Sequence, residues 1–140
     1  MADDPLQGMV VWTLDTQRCA LPVSRVDRVL PALAIRPLPD APAAIAGHAV
    51  LQGQLVPVLD LRRCLGLPER EVRLDDSLVL ARGVGGALAF FADSVACVVP
   101  PSHPDAADAL MIGDPWSFIA LANRPRLSAA LASLAASAVA

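Results

Sequence analysis

A chain of 140 residues and 14.6 kDa has room for one hydrophobic core, or for two very small ones that share it. Its net charge of −3 and pI near 5.1 argue against a phosphate-backbone ligand. Aromatic content of 4% with no tyrosine argues against stacking on nucleic-acid bases. The hydrophobic content is 55%, but 26 of those residues are alanines that add little core volume. All eleven basic residues are arginine, a planar fork suited to carboxylates at protein–protein contacts, although the base composition of the genome is the better explanation of the bias.

Residues 1–8 read as a disordered lead. Their acidic start, Met1-Ala2-Asp3-Asp4-Pro5, lacks the basic region of a secretory signal. Met9–Leu14 is a strand, Asp15–Arg18 a polar turn and Cys19–Val23 a returning strand. Val26–Leu30 alternates valines with charges and fits either one helical turn or a continued strand. Pro31, Pro37, Pro39 and Pro42 stiffen an ordered extended loop. Ala49-Val50-Leu51 and Leu55–Leu59 flank Gln52-Gly53-Gln54, a pattern that reads as a β-hairpin with glycine in the turn. Pro57 cannot donate to a ladder, so it marks an edge position or a bulge.

Leu61–Leu67 reads as one or two helical turns closed by Gly66 and Pro68. The mixed charges of Pro68–Asp76 read as a solvated surface loop. Ser77–Ala81 is a strand and Arg82–Gly86 a glycine-rich turn. Ala87–Val99 is apolar enough for two strands, and Pro100–Pro104 breaks the chain. Asp105–Gly113 reads as a loop and Trp116–Leu121 as a last strand. From Pro125 onward, Leu127, Leu131, Leu134 and Ala138 form a helical stripe, expected to pack on the domain. Eight to ten short strands and one C-terminal helix define a mainly β chain. No apolar run approaches the roughly 20 residues that a membrane helix needs, so no membrane insertion is expected.

No catalytic constellation stands out. His48 and His103 lie in different segments, and His48 has no carboxylate or cysteine at ligand spacing. Cys19, Cys64 and Cys97 are odd in number and form no C-x-x-C pair, as in reduced, partly buried thiols. Asp60 and Asp93 each follow an apolar strand and could pair as acid and base only by folding together. No cofactor or metal is expected, and a small β-barrel enzyme is the less favoured reading.

The stretch Gly47–Arg62, GHAVLQGQLVPVLDLR, resembles the central motif of the CheW-like family of bacterial chemotaxis adaptors, which runs G-V-I-N-L-R-G-x-V-V-P-V-I-D-L-R. Both glycines, the proline, the Asp-Leu-Arg ending and the apolar alternation match. Val50 stands for the usual Asn and Gln52 for the usual Arg. Phe91–Val95 resembles a second family segment, l-V-D-x-V. The resemblance implies an all-β fold of two five-stranded Src-homology-3-like barrels plus the C-terminal helix, with residues 9–140 as a single domain. It also implies a cytoplasmic, non-catalytic adaptor recruited to receptor arrays. Its partners would be a CheA-like histidine kinase regulatory domain and a chemoreceptor's cytoplasmic tip. The residues carried over as candidate partner contacts are Val50, Gln52, Gly53, Pro57, Asp60 and Arg62. The departures at Val50 and Gln52 leave open a degenerate member with another partner or a structural role.

Overall fold

The computed structural model describes residues 8–139; the expected lead at 1–7 lies outside them. Its strands are β1 Met9–Leu14, β2 Gln17–Pro22, β3 Val26–Pro31, β4 Ile45–Leu51, β5 Gln54–Leu59, β6 Ser77–Gly83, β7 Gly86–Ala92, β8 Ser94–Val99 and β9 Leu110–Met111. Its α-helices are α1 Leu61–Cys64, α2 Pro104–Ala107 and α3 Arg124–Val139. The strands form two sheets, one of four in the order β8-β1-β2-β9 and one of five in the order β3-β6-β7-β5-β4. This is the mainly β architecture with a C-terminal helix that the resemblance implies; of the two five-stranded units expected, one sheet has five strands and the other four.

Three strands read as unbroken apolar runs because they are buried on both faces. In β1, Val10, Trp12 and Leu14 enter the main core between the sheets, and Met9 and Val11 pack on the opposite face with Ala106 of α2. In β6, Val79 and Ala81 face the main core, while Leu78 belongs to a second cluster with Ala49, Val56 and Val58. In β7, Leu88, Phe90 and Ala92 face the main core, while Ala89 joins that second cluster. All five strands of this sheet contribute to the second cluster, and β3 and β4 are its two edges.

Val26–Leu30, undecided in sequence, is strand. A short 3-10 turn, Val23–Arg25, precedes it, and the β3–β6 register slips between Val26 and Arg28. The segment expected as a last strand, Trp116–Leu121, is instead two 3-10 turns, Pro115–Phe118 and Leu121–Asn123. Pro115 has no amide hydrogen to give a ladder. The Asp114 carboxylate accepts from the Trp116 amide (2.9 Å) and from the Val84 amide (3.0 Å), tying the turn to the β6–β7 hairpin. The Trp116 indole N–H donates to the Gly86 carbonyl at 3.0 Å. A side chain at Gly85 would come within 2.6 Å of the Trp116 ring, so the glycine is what admits the indole there. Asp105–Gly113, read as a loop, contains all of α2 but its first residue, Pro104, and the two residues of β9.

The stripe on α3 is confirmed in part: Leu127 is fully buried, Leu131 and Leu134 are half-buried, and Ala138 has no described side chain. Arg124 fastens the helix start by donating to the carbonyls of Trp116 (2.9 Å) and Ile119 (3.2 Å). Since Leu131 is only half-buried, Leu131→Ala should cost about 1 kcal/mol, roughly half the burial free energy of an enclosed leucine. Chemical denaturation measures this; a loss as large as that of a fully enclosed leucine would mean that α3 seats more deeply.

Candidate functional site

The hairpin β4–β5 carries the candidate contacts. Leu51 pairs with Gln54 across a two-residue turn, and both turn residues are left-handed, Gln52 at φ +52° and Gly53 at φ +77°. That backbone matches the twist of the flanking strands. Glycine takes it freely; Gln52 holds it at a cost of about 1 kcal/mol. Val50 projects from the edge strand β4 and is 62% exposed. Leu55 is half-buried, while Val56, Pro57, Val58 and Leu59 are buried.

Pro57 lies opposite His48 in the β4–β5 ladder. Pairing of β5 with β7 starts only at Val58, so the missing donor at Pro57 faces no β7 partner. The β4–β5 register also slips between Ile45 and Gly47. Pro57 thus sits in an interior strand, at a position that the β5–β7 pairing does not reach and close to the slip in the β4–β5 register. His48 is buried with its Nδ1 atom unpartnered. Its backbone exchanges two hydrogen bonds with Arg36 in the proline-laced segment (2.8 and 3.0 Å).

Asp60 and Arg62 face a different task. The Asp60 carboxylate accepts from the Arg63 amide (3.1 Å) and caps α1. Arg62 is 11% exposed, and its guanidinium donates to Asp93 (2.6 Å), Asp15 (2.9 Å) and the Pro68 carbonyl (3.1 Å). Asp93 also accepts from Arg70 (2.6 Å) and from the Asp15 amide (2.7 Å), and Arg70 forks onto Asp76 (2.7 and 2.9 Å). This network joins the β1–β2 turn of one sheet to the end of β5 and the β7–β8 junction.

Burial alone would raise the Asp93 carboxyl; the Asp15 amide and then Arg62 and Arg70 outweigh it and hold the group below the ordinary carboxylate range. The Arg70 fork does the same for Asp76, against burial and with help from the Arg73 amide. The reading of Pro68–Asp76 as a solvated loop holds for Glu69, Glu71, Arg73 and Asp75, which are exposed, and is corrected at two residues: Arg70 is 17% and the Asp76 side chain 4% exposed, because Arg70 turns inward onto both Asp76 and Asp93. Nothing in the spacing of those charges shows which of them turn in.

Cys19 is buried and Cys64 half-buried, both free thiols. Burial pushes each up to about 11, with Asp60 adding to the effect at Cys64. They stay protonated at neutral pH and are poor nucleophiles. The side chain of Cys97 lies outside the described residues. His103 caps α2 through Nδ1, accepting from the Asp105 amide (3.1 Å), far in the fold from His48. Asp60 caps a helix and Asp93 holds two arginines, so neither is placed as an acid–base partner of the other.

With this geometry in view, the sequence match is specific. The CheW-like domain model matches residues 8–110, and the chain belongs to that family. Among solved structures, the chain is similar to the scaffolding protein TtCheW from Thermoanaerobacter tengcongensis, at 26% identity and a TM-score of 0.62. The alignment covers 67% of this chain and 64% of that one, so it spans just under two thirds of the structure that it resembles. No curated protein sequence matches the chain. The family match ends at Leu110, leaving the Trp116 turn and α3 beyond it.

Proposed function

We propose that the chain is a non-catalytic cytoplasmic adaptor. In this reading it holds a CheA-like histidine kinase regulatory domain and a chemoreceptor tip in register, in a chemotaxis-like or motility pathway. Membership of the CheW-like family supports this reading, as does the scaffolding role named for TtCheW. The observation that carries it is the hairpin tip, where Val50 stands 62% exposed beside the left-handed Gln52-Gly53 turn. Single exposed apolar residues are ordinary on a protein surface; what singles out Val50 is its place in the family motif, at the sheet edge next to a fixed turn. Of the carried-over residues, Val50, Gln52 and Gly53 form this contact surface. Pro57 is buried within β5, and Asp60 and Arg62 lie past the opposite end of that strand, where they cap α1 and hold Asp15 and Asp93. Protonated thiols and dispersed histidines give an enzyme reading no support.

Titration calorimetry against a purified kinase regulatory domain and a receptor tip tests the proposal. Wild type should bind both, and Val50→Asp should weaken at least one by about tenfold or more, since it puts a charge into an apolar contact. Binding to neither by wild type would favour the second reading, a family member with a different partner, which the departures at Val50 and Gln52 motivate.

A further inference from the structure

At the tip end of the five-stranded sheet a concavity of about 290 Å³ opens between β3 and the β4–β5 turn. Its floor is apolar, with Leu30, Val56, Leu80 and Ala87; its rim carries Asp27, Arg28, Gln52 and Arg82. Arg28 reaches the rim because it shares a strand face with Leu30, whose side chain packs against the second core cluster. Arg82 is already answered: its guanidinium forks onto Asp27 at 2.7 and 3.4 Å. Arg28 is not. Among the described residues it forms no ion pair with a carboxylate. With the Gln52 amide oriented to satisfy its hydrogen bonds, a single neutral oxygen accepts from both terminal nitrogens of Arg28 at 3.0 Å.

A guanidinium held by a neutral acceptor above an apolar floor has a defined complement. A carboxylate exchanging with the Gln52 oxygen would replace neutral acceptance by a charge-assisted fork, roughly twice as strong. An aliphatic side chain next to that carboxylate would cover the floor. We propose that this mouth docks an acidic segment of a partner protein, its Glu or Asp carboxylate on Arg28 and a neighbouring aliphatic side chain over Leu30, Val56 and Leu80. The inference rests on the adaptor reading for the class of ligand, a protein segment, and assigns the charge of the contact to β3 rather than to the hairpin turn. Gln52 is then a positioning residue that keeps the guanidinium over the mouth. Gln52→Arg would set two guanidinium groups against each other and weaken docking.

The test uses the full chain labelled with nitrogen-15. Two acetylated peptides serve as probes, identical except that a Leu-Glu pair in one is Leu-Gln in the other. The Glu peptide should shift the Arg28 side-chain signal, the Gln52 amide and the Leu80 backbone, and should bind about tenfold more tightly than the Gln peptide. Arg28→Gln, at an exposed position that leaves the core intact, should erase that preference while the thermal unfolding midpoint holds. Equal binding of the two peptides, a preference that survives Arg28→Gln, or the same shifts from free glutamate at equal concentration would each overturn the proposal. Calorimetry with the kinase regulatory domain and the receptor tip separates the two claims. Partner binding unchanged by Arg28→Gln overturns the mouth and leaves the adaptor standing. Peptide discrimination by a chain that binds neither partner keeps the mouth and removes the adaptor.

Discussion

Trp12→Ala should lower the unfolding free energy by about 3–5 kcal/mol, the range for emptying a buried aromatic site. Trp12 is fully buried at the centre of β1, where the two sheets face each other, and its ring lies 4.9 Å from that of Phe90 across the core, tilted by 39°. Truncation removes that pair and leaves a cavity lined from both sheets. The indole nitrogen is also buried without a hydrogen-bond partner, so the native residue already carries the cost of an unpaired donor. Trp12→Phe removes that cost together with some volume, and should therefore lose only about 1–2 kcal/mol. Urea unfolding of the three proteins checks the order. A loss below about 1 kcal/mol for Trp12→Ala would contradict a single core shared by the sheets.

Asp93→Ala should cost about 2–4 kcal/mol at neutral pH, because it leaves two partly buried guanidinium groups, Arg62 and Arg70, without their shared carboxylate. The figure is set below that of a fully buried pair because the Asp93 side chain is 24% exposed. The pH dependence follows from the direction of the shifts. Asp93 and Asp76 are held below the ordinary carboxylate value in the folded chain. Between folded and unfolded values the unfolded chain binds more protons, so stability falls as pH falls. The contribution is complete above the unfolded value of about 3.9 and is lost as pH drops through the lower folded values. Wild type should thus lose stability below about pH 4, and the gap between wild type and Asp93→Ala should narrow there. A gap that stays constant from pH 7 to pH 3 would show that Asp93 acts by packing alone.

Much of the sheet was legible because its signals are local. Met9–Leu14 is a run that is apolar but for Thr13 and ends in a polar turn, and β1 has those bounds. Gln52-Gly53 between two apolar runs specifies a hairpin through backbone sterics alone, and the turn forms there. The failures are places where a distant residue decides. Trp116-Ser117-Phe118-Ile119 has the composition of a strand, yet Asp114 and the small residues Gly83 and Gly85 draw the tryptophan onto the β6–β7 hairpin. Arg70 and Asp76 look like any charged loop until Arg70 bridges Asp76 to Asp93, from another strand end. Arg62 was carried over as a partner contact; its guanidinium is turned inward onto Asp15 and Asp93, which no linear pattern encodes. The role of Arg28 is not legible in the sequence because Val26–Leu30 does not declare its secondary structure, and only a strand aims that side chain into the mouth.

The central claim is that this chain bridges two partners through fixed, non-covalent contacts. Sedimentation of the chain with a kinase regulatory domain and a receptor tip, each labelled separately, tests it most directly. The account predicts one boundary that carries all three proteins, with the three-way species lost when either the chain or Val50 at the hairpin tip is removed. Three independent boundaries, or a complex of kinase domain and receptor tip that forms equally well without the chain, would contradict it.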